Sequence, residues 1–119
     1  MNAFENHPFY FYIGKDEQGV RDLEEYGELH KKHLLQIPVQ YRDIDNSWNL
    51  IFALNEGLSL LIDICEDETI EVDKLPQALK VAEEVIKKEE NAEKAASMSV
   101  IASAIKTAIS YNSPLLIWW

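Results

Sequence analysis

The side chains in this sequence that are best suited to chemistry are a histidine pair. His30 and His33 are three residues apart, so they would share a face of the helix predicted there. Together with Glu28 or Asp22 they suggest a metal site, but a catalytic zinc ion normally takes three protein ligands and no HExxH pattern is present. The favoured interpretation is a solvated histidine pair, and no metal or other cofactor is predicted.

A cysteine nucleophile is the second candidate. Cys65 is the only cysteine of the chain, which excludes an internal disulfide and suits a reducing compartment. Catalysis would need His7, His30 or His33 as the base, while the acidic residues that follow Cys65 oppose formation of the thiolate. A buried structural thiol is the favoured interpretation.

Glycine-based catalytic and nucleotide-binding motifs are missing from the sequence. The serines have no GxSxG context, and the four glycines form neither a P-loop nor a GxGxxG motif. We therefore predict a protein that is not an enzyme. The alternative is a small ligand-binding or enzymatic domain that uses His30, His33 or Cys65.

The charge of the chain indicates what kind of partner it has. Twenty-one Asp and Glu residues against eleven Lys and Arg give a formal net charge of −10. Such a surface repels phosphate backbones, so no nucleic-acid partner is expected, and it attracts a cationic protein. The first acidic run comprises Asp16, Glu17, Asp22, Glu24, Glu25 and Glu28, and the second comprises Asp63, Glu66, Asp67, Glu68, Glu71 and Asp73. Both runs are candidate partner-binding surfaces, the alternative being simply a solvated face.

Length and composition predict one globular domain over residues 1–119. The chain is 47% hydrophobic and 27% charged, which suffices for a single core. Its first eight residues do not resemble a signal peptide, and no apolar stretch approaches the ~20 residues of a membrane-spanning helix. We expect a soluble, cytoplasmic protein without a membrane partner.

The hydrophobic pattern predicts an α+β domain, mostly helical, with a small antiparallel or mixed sheet. Predicted strands cover about 8–13, 58–65, 69–72 and 115–118, with the middle two paired as a hairpin. Predicted helices cover 20–36 and 47–56, and another is capped by Asp73 with Pro76 in its first turn. A last helix is either capped by Asn91 or continuous with the one before it through residues 89–94. An all-α domain, with residues 47–64 as one helix, is the alternative.

Two positions carry further expectations about shape. Gly57 is expected at the left-handed position that ends the helix over 47–56. The terminal Trp118 and Trp119 are expected to be docked as part of a last strand. If they were exposed together, the patch would indicate a structural homodimer.

The pattern Trp48 … Gly57-Leu58 … 72–79, closing on 113–119, resembles small acidic bacterial immunity proteins of contact-dependent inhibition and type VI secretion systems. The resemblance implies a protein that binds and blocks a cognate basic toxin domain, often a nuclease. Carboxylates would occupy the cationic cleft that holds the toxin's substrate. Aromatic anchors would supply the dry centre of the interface, and the candidates are Tyr10, Tyr12, Tyr26 and Tyr41.

Overall fold

The computed structural model of the chain describes residues 7–25 and 31–119. Within them, one antiparallel sheet contains β1 (Phe9–Gly14), β2 (Leu34–Val39), β3 (Asp67–Ile70) and β4 (Leu115–Trp118). The strand order is β2-β1-β4-β3, so the first and last strands of the chain pair at the centre. The predicted α+β class is confirmed, the sheet is antiparallel, and the all-α alternative is wrong.

The helices of the described residues are distributed over both faces of this sheet. They are α1 (Glu17–Glu25), α2 (Tyr41–Asp45), α3 (Trp48–Leu58), α4 (Leu75–Lys88) and α5 (Ala92–Ser110). Helices α3, α4 and α5 contribute to the main core with one face of the sheet. Helix α1 lies on the other face, where Leu23 packs with Leu34 and Leu116 in a second, smaller cluster.

The pairing of the two central strands brings the C-terminal residues of the chain against its first strand. Phe11 of β1 pairs with Ile117 of β4, and both side chains are buried on the face covered by α3, α4 and α5. The same alternation buries Trp119, whose ring lies 5.8 Å from that of Phe11. It turns Trp118 to the other face, on which α1 packs and which we call the open face. The predicted strand at 115–118 is confirmed, whereas the two tryptophans differ in burial.

The predicted helix over 20–36 is wrong at both ends. Helix α1 begins at Glu17 and ends at Glu25, and Leu34 to Val39 form an edge strand paired with β1. The predicted helix does not reach Leu34, because the residues of β2 satisfy their backbone groups on a distant strand. Pro38 is tolerated because an edge strand can lack one backbone donor.

The predicted strand over 58–65 is also wrong. Helix α3 continues through Gly57 to Leu58, and Ser59 at φ 55° takes the left-handed position expected of Gly57. The residues that follow alternate in burial as a strand would, with Leu60 and Ile62 inside and Leu61 outside. These residues pair with no strand, and β3 pairs antiparallel with β4 instead of forming the predicted hairpin.

The caps of the last two helices were predicted with mixed success. Asn91 caps α5, its Oδ1 accepting a hydrogen bond from Lys94 N at 3.0 Å. Pro76 lies in the first turn of α4, where a missing N–H is harmless. Lys74, and not Asp73, occupies the N-cap of α4, because a short 3₁₀ turn over Val72–Lys74 precedes it.

Candidate functional site

Helix α3 carries two apolar stripes, and only one of them is fully buried. Leu50, Ile51 and Leu54 form the buried stripe. Trp48 and Phe52 lie about 130° around the helix from the centre of that stripe, by the 3.6-residue turn. Their rings are 5.7 Å apart, and Phe52 is 63% exposed. The second stripe therefore presents Phe52 to solvent, while Trp48 is half-buried and also packs against the main core.

These aromatic side chains form one wall of an open groove of about 630 Å³, which we call the Trp48 groove. The groove is lined by Trp48, Phe52, Asn55, Leu61, Ile62, Asp63 and Glu66. Leu61, on the opposite wall, is 75% exposed. An exposed apolar groove with a polar rim is typical of a binding surface.

The loop that forms the second wall is fixed by side chains. The Asn55 carboxamide donates to Ile62 O at 3.0 Å and accepts from Ile62 N at 2.8 Å, as a neighbouring strand would. Glu68 Oε2 accepts from Leu61 N at 2.7 Å. Because these bonds hold the backbone on both sides of Leu61, its exposed side chain is presented by a fixed loop.

The acidic rim of the groove comes from the second acidic run. Asp63 and Glu66 line the groove, and Asp67 follows as the first residue of β3. All three are exposed. Cys65 is exposed as well, at φ 68° in the turn between them, so the interpretation as a buried thiol is wrong. The turn reverses the chain at this residue and points its side chain away from the core.

The remaining members of the second acidic run lie elsewhere. The Glu68 carboxylate accepts the hydrogen bond from Leu61 N described above. Asp67 pairs with Trp118 and Ile70 pairs with Leu115, so Glu71 and Asp73 leave the sheet at the end opposite the groove. The run that is continuous in sequence is therefore divided between the two ends of β3.

Part of the first acidic run also lies at the end of the sheet opposite the groove. Ile13 of β1 pairs with Leu115, which pairs with Ile70, and Asp16 and Glu17 follow shortly after β1. Two strand spacings, about 10 Å, separate the strands that lead to the two acidic segments. The structure thus creates a second acidic surface, formed by Asp16, Glu17, Glu71 and Asp73.

Asp16 is the centre of a hydrogen-bonded junction. His33 Nδ1 donates to Asp16 Oδ2 at 2.8 Å, and Gly19 N donates to Asp16 Oδ1 at 2.9 Å. The hydrogen bond from His33, followed by that from Gly19, holds the pKa of Asp16 below its ordinary value of 3.8. A Cβ atom at Gly19 would overlap the backbone oxygen of His33, so the junction requires glycine there.

The candidate metal and nucleophile residues are dispersed. His33 is occupied by Asp16, near the end of the sheet opposite Cys65, and His30 lies outside the described residues. Across residues 7–25 and 31–119, no three His, Cys, Asp or Glu side chains come close enough to hold a metal ion. His33 is therefore not placed to act as a base for Cys65.

The rest of the first acidic run is only partly available to a partner. Asp22 is 6% exposed and accepts a hydrogen bond from Gln18 Nε2 at 2.7 Å, so it cannot contact a docked protein. Glu24 is exposed on α1. The side chain of Glu25, and all of Glu28, lie outside what the structure describes.

The net charge is concentrated away from α4 and α5. Residues 75–110 contain five acidic and five basic residues, so the whole formal charge of −10 belongs to the rest of the chain. Within the described residues, none of Glu66, Asp67, Glu71 and Asp73 forms an ion pair with a lysine or arginine. Among the described residues, these four carboxylates are therefore not neutralised by lysine or arginine, whereas Asp16 is paired with His33.

The predicted tyrosine anchors are placed on the open face or in the core. Tyr12 and Tyr10 are half-buried on the open face of the sheet, where the Tyr12 ring lies 5.8 Å from that of the 42% exposed Trp118. Tyr41 packs against the main core, and Tyr26 lies outside the described residues. Because Trp119 is buried, the two tryptophans form no joint patch, and the homodimer stays a prediction.

The most exposed aromatic and aliphatic side chains were missed as anchors. Trp48 and Phe52 were assigned to one helical face, and Leu61 to a buried strand. The signal that could have identified them in the sequence is the width of the apolar arc of α3. Leu50, Ile51 and Leu54 already fill a core-facing stripe, so Phe52, on the far side of the helix from Leu50 and Leu54, must point elsewhere.

No helix among the described residues combines the length and apolar character needed to cross a bilayer. In comparisons by sequence and by structure, no protein-family model, curated protein or solved structure matches the chain. Its resemblance to immunity proteins therefore remains a prediction, and any proposal about function depends on the surfaces described above.

Proposed function

We propose that this chain is a non-enzymatic immunity protein that binds and neutralises a cognate cationic toxin domain. A toxin nuclease would hold its substrate's phosphates with lysine, arginine and histidine side chains. Carboxylates of the immunity protein would cover that cleft and exclude the anionic substrate. The chain would act in the cytoplasm, where such a toxin finds its substrate.

One observation carries this proposal: exposed carboxylates that form no ion pair with lysine or arginine in the part of the chain that the structure describes. Asp63, Glu66 and Asp67 lie together at one end of β3. Like charges held on a folded surface repel one another, and the surface is stabilised when a cationic partner covers it. Long-range attraction also raises association rates from ~10⁵–10⁶ to as much as ~10⁸–10⁹ M⁻¹s⁻¹ at low salt.

The test uses the product of the neighbouring gene, which the proposal expects to be a large secreted protein with a toxin domain. Co-expression is expected to restore growth of cells that produce the toxin. The purified proteins are expected to bind, with an association rate that falls steeply as the NaCl concentration is raised. Absence of a complex at low salt would refute the proposal.

A matched pair of charge variants separates a local surface from total charge. The rim variant Asp63→Asn, Glu66→Gln, Asp67→Asn is expected to slow association roughly tenfold or more at low salt. A second triple variant removes the same charge from α4 and its C-terminal end, at Glu83, Glu84 and Glu90. It is expected to change the association rate less than about threefold, because charges outside the interface act through screened solvent. Equal effects of both variants would mean that no acidic surface is specific.

A further inference from the structure

We propose that the Trp48 groove is the anchor of this interface and binds an apolar side chain from a cationic segment of the partner protein. The partner's apolar residue would insert between Phe52 and Leu61, and its neighbouring lysine or arginine side chains would pair with Asp63 and Glu66. This inference rests on the proposed function for the partner's charge, and it adds where and how that partner is held.

The groove has the composition of a binding hot spot. Charge alone gives fast association but not high affinity, which comes from large side chains that lose their water at the centre of an interface. Phe52 and Leu61 are 63% and 75% exposed, so a partner would remove a large apolar area from water. Asp63 and Glu66 line the same groove, so charge and apolar area lie side by side.

The geometry also favours a preformed site. Asn55 and Glu68 hold the backbone at Ile62 and Leu61, and Cys65 N donates to Trp119 O at 2.8 Å behind them. A loop that is already ordered loses little conformational entropy when a partner binds. The groove can therefore convert its apolar contact into affinity more fully than a mobile loop could.

Charge complementarity selects the occupant. A second copy of this chain would bring a formal charge of −10 to an acidic rim and would be repelled. Phe52 and Leu61 project into solvent, so the groove is open and does not enclose a small ligand. A protein segment that carries both apolar and basic side chains matches both features of the groove.

The test compares two exposed aromatic residues that each lie beside an acidic surface. Tyr111 is 43% exposed and lines a separate groove with Asp16 and Glu17. With the toxin domain as probe, Phe52→Ala is expected to weaken binding at least about tenfold, and Tyr111→Ala less than about twofold. Neither side chain is buried, so both variants are expected to fold, and their unfolding curves are the check. The inference is overturned if Phe52→Ala binds like the unmodified chain, or if Tyr111→Ala causes the larger loss.

A second probe keeps the inference testable if the toxin domain does not bind. It is a synthetic helical peptide of leucine and lysine with leucine on one face, and its control replaces every leucine by serine. The indole N–H signals of the three tryptophans, assigned through Trp→Phe variants, report binding in NMR spectra. We expect the leucine peptide alone to shift the Trp48 signal in a saturable manner, and Phe52→Ala to abolish that shift.

The outcomes separate the two proposals. Failure of the toxin domain to bind, with a saturable Trp48 shift, refutes the proposed toxin partner and retains an apolar and cationic ligand for the groove. A Trp118 shift in place of Trp48 moves the site to the open face of the sheet. A shift caused equally by both peptides shows attraction by charge only. A Trp48 shift that changes on dilution of the chain alone identifies a second copy as occupant. Each of the last three results overturns the inference.

Discussion

Replacing Asn55 by alanine is expected to lower the free energy of unfolding by about 2–4 kcal/mol, because its carboxamide makes the two backbone hydrogen bonds that a neighbouring strand would otherwise make. It makes hydrogen bonds to both backbone polar groups of Ile62, at 3.0 and 2.8 Å. Each contributes about 1 kcal/mol net, and a buried group left without a partner costs about 1–3 kcal/mol. Ile62 is 3% exposed, so water reaches its backbone poorly. Against a typical stability of ~5–15 kcal/mol, such a loss is large.

The matched control is Asn49→Ala, an exposed asparagine on the same helix. It should change stability by no more than about 0.5 kcal/mol, and in the stabilising direction, because alanine favours a helix. Urea unfolding followed by circular dichroism gives both values, and hydrogen exchange of the Ile62 amide reports the loop directly. If Asn55→Ala matches Asn49→Ala and the Ile62 amide stays protected, apolar burial holds the loop and the reasoning fails.

Three other predictions concern the two ends of the sheet. Gly19→Ala should destabilise the fold by at least about 2 kcal/mol in urea unfolding, because the new Cβ meets the rigid backbone oxygen of His33; a change below about 0.5 kcal/mol would contradict this. In a carbon-detected NMR titration, Asp16 should show a pKa below 3.8, and His33→Ala should raise that pKa. Because the folded pKa is depressed, the stability that Asp16 contributes is present above about pH 4 and is lost as the pH falls through the folded pKa. An unchanged titration midpoint in His33→Ala would contradict this assignment. Trp119→Ala should cost about 3–5 kcal/mol by thermal or urea unfolding, and Trp118→Ala clearly less, because they are 3% and 42% exposed; equal losses would refute the assigned register of β4.

The sequence alone determined the features that depend on near neighbours. The aromatic and β-branched run from Phe9 to Ile13 indicated β1, and the apolar run at 115–118 indicated β4. The cap at Asn91 and Pro76 in the first turn of α4 are contacts within a few residues, so spacing was enough to place these two helices. The total charge, too, is a property of composition and needs no fold.

Only the tertiary structure decided the features that depend on distant partners. Residues 34–39 form a strand because β1 is there to pair with them. Residues 59–66 form a loop in which Asn55 donates to and accepts from the backbone of Ile62, and Glu68 accepts from Leu61 N, in place of a neighbouring strand. Local patterning cannot distinguish these cases, since both leave the same alternation of apolar and polar residues. The candidate site follows the same division: the acidic residues were visible in the sequence, but their separation between the two ends of β3, and the exposed Phe52 beside Asp63, result from long-range pairing.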